Sequence, residues 1–255
     1  MILTDTHTHL YYEKDPDKLK LLIDRCVENG VTRLFLPNVN SESVEEVKAL
    51  THLYPEYCYP MLGLHPCDVK ENYLDELDRI KRAMEEMKIW AVGEIGIDLY
   101  WDKTTLAVQQ EAFRTQIGWA KERDLPIVIH CRDAFDEVYE ILLEQRDEKL
   151  KGIFHCFTGT KEQADRITDL GFYLGIGGVL TYKNSGLDKV VAQLDMKHLV
   201  LETDSPYLTP VPFRGKPNES SYLVYIAAKL AEIKNVDLET VAEITTRNSK
   251  SIFGI

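Results

Sequence analysis

The sequence predicts an α/β protein folded as a single (β/α)8 TIM barrel, with residues 1–255 forming one domain. Two observations lead to this prediction. Short β-rich runs recur eight times, each followed by an amphipathic helical stretch, and this alternation is typical of parallel βαβ units. The length of 255 residues also suits a single α/β barrel, which commonly occupies roughly 200–250 residues.

The predicted strands are mostly near-continuous apolar runs, as expected for strands that are covered on both faces. No low-complexity segment, internal repeat or Ser/Pro linker interrupts the series, and this continuity favours one domain. In chain order the strands are Ile2–Thr6, Thr32–Pro37, Cys58–Leu64, Ile89–Ile95, Pro126–His130, Gly152–Phe157, Phe172–Gly177 and His198–Asp204.

The stretches between the strands carry helix start and stop signals. Capping boxes are predicted at Ser43–Glu46 and Thr160–Gln163, where a hydroxyl residue precedes Glu or Gln by three positions. Gly30 and Gly171 lie where C-terminal caps are expected. The stretch Thr105–Arg123 has apolar residues at helical spacing, which indicates a helix packed on the core.

The net charge limits the classes of function that the protein can have. The formal net charge of −12 argues against a protein that coats nucleic acid, because such binding relies on Lys and Arg to neutralise phosphates. An enzyme that binds a few nucleotides at a locally positive or metal-filled site remains compatible with this charge.

Cysteine usage and hydropathy indicate where the protein acts. Five cysteines with no C-x-x-C pair suggest neither a disulfide framework nor a thiolate zinc site, and they fit a reducing compartment. No apolar run reaches the length of a bilayer span, and the first residues lack a basic signal-peptide region. We therefore expect a cytoplasmic protein without a membrane partner.

Six residues that could bind a metal ion lie close to the carboxyl ends of the predicted strands. His7 and His9 are two positions apart on one strand, so both side chains point to the same face, with Asp5 deeper on that face. His52 and His198 are interpreted as ordinary structural histidines. The candidate ligands are His7 and His9 after the first strand, Glu94 in the fourth, His130 ending the fifth, His155 in the sixth and Asp204 ending the eighth.

These residues can meet only if the sheet closes. Neighbouring strands lie about 4.8 Å apart, so in an open sheet the ligands would spread over roughly 19 Å. In a closed barrel, all eight carboxyl ends surround one mouth, where barrel enzymes place their active sites. The fold prediction and the site prediction therefore support each other.

Motifs along the whole chain closely resemble the TatD family of metal-dependent deoxyribonucleases, which belongs to the amidohydrolase superfamily. They include glycine-rich and basic loop segments as well as the candidate ligands. The matching segments are Thr4–Leu10, Gly63–Pro66, Gly93–Asp98, Ile129–Ala134, His155–Gly159, Gly175–Gly178, Tyr182–Asn184, Leu201–Leu208, Arg214–Lys216 and Asn218–Glu219.

The resemblance implies a site with two divalent ions, which can be Mg, Mn or Zn because the site mixes nitrogen and carboxylate donors. Glu94 bridges the two ions, and its shared negative charge offsets their mutual repulsion. The implied ligands of the first ion are His7, His9, Glu94 and Asp204, and those of the second are Glu94, His130 and His155.

The implied activity is hydrolysis of phosphodiester bonds in DNA, with 3′-to-5′ exonuclease action on single-stranded ends and no obligatory protein partner. Glu94 and Asp204 are the candidate catalytic residues, with Asp204 as the proton acceptor. The candidate substrate contacts, chosen for their position after barrel strands, are His65, Arg132, Lys183, Arg214 and Lys216.

The chain departs from the family pattern at two places. Leu99–Asp102 reads Leu-Tyr-Trp-Asp where the family often has Tyr-Tyr-Arg-Asp, so the aromatic Trp101, a side chain able to stack on a base, replaces a cation. Ser220 stands where a proline is usual. Neither position is a predicted metal ligand, so the departures bear on substrate preference.

Two questions stay open at this level. Asp5 and Glu202 share a strand face with candidate ligands, and each either orients a ligand histidine or forms a structural hydrogen bond. The alternative functions are hydrolysis of a small-molecule amide or ester, which the negative charge favours slightly, and metal binding without catalysis.

Overall fold

The computed structural model describes residues 1–255 and contains eight strands and nine α-helices in the predicted alternation. The strands are β1 (Leu3–Asp5), β2 (Val31–Pro37), β3 (Cys58–Met61), β4 (Val92–Asp98), β5 (Ile127–Arg132), β6 (Gly152–Phe154), β7 (Tyr173–Ile176) and β8 (Leu199–Leu201). The helices are α1 (Pro16–Glu28), α2 (Ser41–Leu53), α3 (Tyr73–Glu86), α4 (Leu106–Glu122), α5 (Phe135–Glu144), α6 (Lys161–Asp169), α7 (Leu187–Ala192), α8 (Leu223–Lys234) and α9 (Leu238–Phe253).

All strand pairs are parallel, and each strand lies beside its neighbour in sequence. Ladders run through β1, β2 and β3, and through β4 to β8. Backbone hydrogen bonds join these two groups at both edges: Gly93 N–H donates to Leu62 O at 3.0 Å, and Thr6 N–H donates to Leu201 O at 3.0 Å. The strands therefore close into a ring, and the TIM-barrel prediction is confirmed.

Several strands are shorter than the apolar runs that predicted them. The ladders of β6 and β8 stop at Phe154 and Leu201, before His155 and Asp204. Beyond that point the chain bends over the mouth, the end of the barrel where the carboxyl ends of the strands meet. By contrast β4 continues to Asp98, because it pairs with β5 as far as Arg132.

One predicted helix start is wrong by three residues. The capping box expected at Ser43–Glu46 is instead formed by Asn40 and Ser43, with Asn40 Oδ1 accepting from Ser43 N–H at 3.1 Å and Ser43 Oγ accepting from Asn40 N–H at 3.1 Å. Asn40 is itself a strong N-cap residue, so the helix starts one turn earlier and Ser43 lies at its third position.

The other helix signals are confirmed. The Thr160–Gln163 capping box is formed in full. Gly30 and Gly171 follow α1 and α6 with φ of 74° and 85°, a left-handed conformation that glycine adopts without steric cost. The Thr105–Arg123 stretch forms α4. No helix combines the length and apolar character needed to cross a bilayer.

The barrel interior explains why polar residues gather at the mouth. Side chains from five strands pack together with the end of α9, among them Phe35, Met61, Val128, Ile153, Val200 and Phe253. Because side chains two apart on a strand share a face, the interior row continues upward into polar groups. The residues two positions after Val128, Ile153 and Val200 are His130, His155 and Glu202.

Candidate metal centre

Glu94 lies between two groups of histidines. It is buried on β4, and its two carboxylate oxygens face different partners. Glu94 Oε2 lies 3.1 Å from His7 Nε2 and 3.9 Å from His9 Nε2. Glu94 Oε1 lies 2.8 Å from His130 Nδ1 and 3.4 Å from His155 Nε2. One carboxylate thus contacts two separate sets of nitrogen donors.

Asp204 completes the first set. Its Oδ1 atom lies 3.6 Å from His9 Nε2 and 3.8 Å from His7 Nε2. Asp204 has a left-handed backbone with φ of 55°, a conformation uncommon outside glycine, which turns the chain over the mouth directly after β8. The structure therefore brings all six predicted ligands together, from five different strands.

The donor atoms are suited to cations. Two ligand atoms that are each about 2.1 Å from a tetrahedral ion lie about 3.4 Å apart, which is the range of spacings around Glu94. His7 Nε2 is buried and close to Glu94, yet neither ring nitrogen of His7 forms a hydrogen bond. Buried nitrogens without a hydrogen-bond partner are costly unless another ligand satisfies them, so this donor set fits a divalent metal.

The pKa values of the clustered histidines are shifted by burial and by nearby charged groups. Burial lowers the pKa of His155, but Glu202 and Glu94 outweigh burial and raise that pKa to about 10. Burial also opposes the charged form of His130, whose pKa is nevertheless raised by its hydrogen bonds with Asp98 and Glu94. The pKa of His7 is lowered by burial and by the nearby His155.

The two catalytic candidates are ionised at neutral pH. Burial favours the protonated form of each carboxyl group, but the surrounding histidines outweigh burial. The pKa of Glu94 is held well below its usual value by His65, His155 and His7. The pKa of Asp204 is lowered by His9, His155 and His7.

His65 presents an N–H group to the cluster. Its Nε2 lies 3.3 Å from His130 Nδ1 and 3.4 Å from Glu94 Oε1. Its Nδ1 accepts a hydrogen bond from the backbone N–H of Cys67 at 3.1 Å. A ring nitrogen that accepts carries no proton, so the ring N–H is assigned to Nε2. His65 is therefore placed as a donor and has no free lone pair for a metal.

Asp98 supports His130 and was missed by the sequence analysis. Its Oδ2 lies 2.8 Å from His130 Nε2, and its Oδ1 accepts the backbone N–H groups of Tyr100 and Trp101 at 2.9 and 3.2 Å. Although burial opposes ionisation, the hydrogen bond with His130 lowers the pKa of Asp98 to about 2. The four-residue spacing from Glu94, which puts both acids on one strand face, was the available signal.

The two acids left open by the sequence have different partners. Glu202 Oε1 lies 3.0 Å from His155 Nδ1 and accepts the backbone N–H of Cys156 at 2.6 Å, so it lies beside the ring of a predicted ligand histidine. Asp5 accepts the N–H and hydroxyl groups of Thr203 at 2.9 and 2.5 Å and contacts no ring nitrogen. Asp5 is therefore structural and ties β1 to the segment after β8.

Two hydroxyl groups near the cluster make hydrogen bonds that the sequence analysis did not predict. The Tyr11 hydroxyl lies 2.9 Å from His9 Nδ1 and holds that ring, but a buried tyrosine gives no distinct signal in a sequence. Ser220, which replaces the usual proline, donates to Thr8 Oγ1 at 2.9 Å. Proline could not make this bond, so the substitution adds a link between the loop after β8 and the end of β1.

The candidate substrate cations surround the mouth and lie outside the ligand cluster. All four are exposed: Arg132 is the last residue of β5, Lys183 follows β7, and Arg214 and Lys216 follow β8. The guanidinium carbons of Arg132 and Arg214 lie 3.8 Å from the ring centroids of Tyr100 and Tyr182. The arginines that form ion pairs lie elsewhere: Arg25, Arg79, Arg82, Arg114 and Arg166.

Comparison with known proteins identifies the family. The family model described as TatD related DNase matches residues 4–254. The Bacillus subtilis protein named uncharacterized metal-dependent hydrolase YabD is 40% identical over 255 residues, which is 100% of both chains. The crystal structure of YjjV, a TatD homolog from Escherichia coli K12, superposes with a TM-score of 0.92 at 30% identity and covers 99% of this chain and 98% of its own.

A further relative carries a more specific name. The protein of Pectobacterium parmentieri named 3′-5′ ssDNA/RNA exonuclease TatD is 29% identical over 252 residues, which is 96% of each chain. The family matches and the clustered donors agree with the family predicted from sequence. The chain therefore belongs to the TatD family, and it is a metal-dependent hydrolase.

Proposed function

We propose that this protein is a deoxyribonuclease that hydrolyses phosphodiester bonds at single-stranded ends, in the 3′-to-5′ direction, with two divalent ions. The observation that carries the proposal has two parts. Glu94 contacts separate histidines through its two carboxylate oxygens, and the guanidinium groups of Arg132 and Arg214 at the mouth form no ion pairs. The name of the relative from Pectobacterium parmentieri supports the substrate class. The odd, unpaired set of cysteines favours a cytoplasmic location.

The donor set divides into two ion sites that share Glu94. His7, His9 and Asp204 lie on the Oε2 side, and His130 and His155 lie on the Oε1 side. Each side combines imidazole nitrogens with carboxylate oxygens, a combination that accepts zinc as well as manganese or magnesium. When bound, divalent ions lower the pKa of a coordinated water and neutralise charge on the phosphate oxygens.

Asp204 serves as the proton acceptor. Its carboxylate is ionised, because the nearby histidines keep its pKa low, and it lies at the mouth, where an attacking water has access. Glu94 is buried more deeply and contacts histidines through both oxygens, so its role is to hold the two sites together. Asp98 and Glu202 keep the rings of His130 and His155 in position.

His65 and the arginines contact the substrate. The Nε2–H group of His65 faces the centre and donates to a phosphoryl oxygen, where negative charge builds in the transition state. Arg132 and Arg214 bind flanking phosphates through the edges of their planar guanidinium groups, whose faces rest on tyrosine rings. Lys183 and Lys216 add positive charge at the mouth, where the substrate enters.

The test is an activity assay on purified protein loaded in turn with Mg²⁺, Mn²⁺ and Zn²⁺. End-labelled single-stranded DNA is compared with duplex DNA, RNA and a panel of cyclic amides and lactones. We expect metal-dependent shortening of single-stranded DNA from its 3′ end, which is abolished by a chelator. His52→Ala serves as a control because His52 is exposed on α2, away from the site. Chelator-sensitive activity on amides or lactones alone would contradict the proposal.

A further inference from the structure

Three side chains form an exposed cluster beside the metal centre, which we call the base platform: Tyr100, Trp101 and Arg132. Trp101 is 71% exposed and Tyr100 is 53% exposed. The two rings pack edge to face with centroids 4.9 Å apart. The Arg132 guanidinium carbon lies 3.8 Å from the Tyr100 centroid and 5.7 Å from the Trp101 centroid. Adjacent exposed aromatic rings on an otherwise acidic protein suggest a ligand surface.

The platform is held firmly although its rings are exposed. Asp98 Oδ1 accepts the backbone N–H groups of both Tyr100 and Trp101. Leu99 is buried, and its N–H donates to Arg132 O at 2.9 Å, which joins the loop after β4 to the end of β5. The backbone under the rings is therefore fixed, so a ligand that stacks there loses little freedom in ordering the protein.

The platform shares its support with the metal centre. Asp98 Oδ2 lies 2.8 Å from His130 Nε2, and His130 Nδ1 lies 2.8 Å from Glu94. One carboxylate thus holds both the aromatic loop and a proposed ligand histidine. The backbone of the platform is therefore linked to His130 through a single side chain, Asp98.

We propose that the base platform binds an unpaired nucleobase, stacked on Trp101, while Arg132 binds the adjoining phosphate. This inference rests on the proposed function and specifies its substrate. Aromatic rings stack on any base, whereas a base within a duplex has both faces covered by its neighbours. The platform therefore selects single-stranded nucleic acid with little preference for sequence.

Kinetics of Trp101 variants test the stacking role. Trp101→Ala should raise KM for a short oligothymidylate about tenfold, the loss expected for one base stack, with kcat changed by less than about twofold. Trp101→Phe keeps a ring and should stay close to wild type. Because Trp101 is largely exposed, neither variant should alter the melting temperature. An unchanged KM in Trp101→Ala, or equal losses in both variants, would overturn the inference.

Intrinsic fluorescence of the metal-loaded protein gives a readout that does not depend on turnover. The other tryptophans are Trp119, which is buried, and Trp90, which precedes β4 at the end opposite the mouth. A hydrolysis-resistant phosphorothioate oligothymidylate should quench wild-type emission, and this quenching should be absent in Trp101→Phe. A fully abasic oligomer of the same length should cause no quenching. Quenching that persists in Trp101→Phe, or that the abasic oligomer reproduces, would refute the platform.

The two proposals fail separately. A wild-type protein that cleaves no phosphodiester but shows Trp101-dependent quenching would refute the proposed function and retain the base platform. A wild-type protein that degrades single-stranded DNA, with KM and quenching unaffected by Trp101 substitution, would retain the function and remove the platform.

Discussion

At the scale of single residues, Glu94 is the central residue of the proposed metal site, because its two oxygens contact separate groups of histidines. Replacing the shared negative charge in Glu94→Gln should reduce bound metal below two ions per chain. Hydrolysis should fall by roughly 100- to 1,000-fold or more, since charge stabilisation at the centre is lost. Metal analysis of dialysed protein and steady-state assays provide the measurements.

Asp204→Asn provides a comparison for Glu94→Gln at the same centre. It should retain more metal, because Asp204 contacts only the histidines of the Oε2 side, but it should also lose most turnover as the proton acceptor. Circular dichroism should match wild type in both variants. Full activity in either variant would show that the assigned roles are wrong.

His65 is predicted to donate a hydrogen bond rather than to bind metal. His65→Ala should lower kcat/KM by about 100-fold or more while metal content stays at the wild-type level, because its lone pair is already used by Cys67 N–H. His65→Gln retains an N–H donor and should recover part of the loss. Metal lost from His65→Ala would instead identify His65 as a ligand.

Metal binding should release protons at neutral pH. The pKa of His155 is lowered by burial but raised overall to about 10 by Glu202 and Glu94, so this ring carries a second proton at pH 7. A ligand nitrogen must be unprotonated, so metal affinity should rise with pH through this range. Calorimetric titrations in two buffers of different ionisation enthalpy measure the release. Heats that do not depend on the buffer would contradict it.

At the scale of elements, β7 leaves space for the Glu202 side chain, because Gly175 has no Cβ atom. A Cβ atom on Gly175 would lie 2.3 Å from Glu202 Oε2 and 3.2 Å from His155 Cα. Gly175→Ala should therefore displace Glu202 from His155 and weaken metal binding by about 10- to 100-fold, the usual effect of losing a group that orients a ligand. Metal titration followed by activity would measure this change.

Gly118→Ala is the matched control for Gly175→Ala. Gly118 lies within α4, and an added Cβ would meet no atom within 4 Å. Alanine favours helix more than glycine by about 1 kcal/mol, so this variant should be as stable as wild type or slightly more so, with unchanged metal affinity. Equal metal affinity in the two variants would remove the role assigned to Glu202.

Elements also show how far sequence reasoning extends. The eight strands and the six clustered donors were predictable, because parallel strands place their carboxyl ends together and strand side chains alternate. The start of α2 was wrong because Asn40 and Ser43 are both able to cap a helix. The separate partners of Asp5 and Glu202 depend on side-chain conformations and on neighbours 198 and 46 residues away along the chain, which strand periodicity does not specify.

At the scale of the whole molecule, closure of the barrel joins the ends of the chain into one centre. The hydrogen bond from Thr6 to Leu201 spans 195 residues, and it brings the histidines after β1 beside Asp204. The same closure places free cations at the mouth of a protein whose net charge is −12. Under the proposed function, these cations attract a phosphate chain to the mouth, whereas the net negative charge of the protein opposes its approach at low ionic strength.

Anomalous diffraction from crystals loaded with Mn²⁺ or Zn²⁺ tests the central claim most directly. We expect two peaks about 3.5–4 Å apart, with the Glu94 carboxylate between them. One peak should lie among His7, His9 and Asp204, and the other beside His130 and His155. A single peak, or two peaks that do not contact Glu94, would contradict the shared two-ion centre.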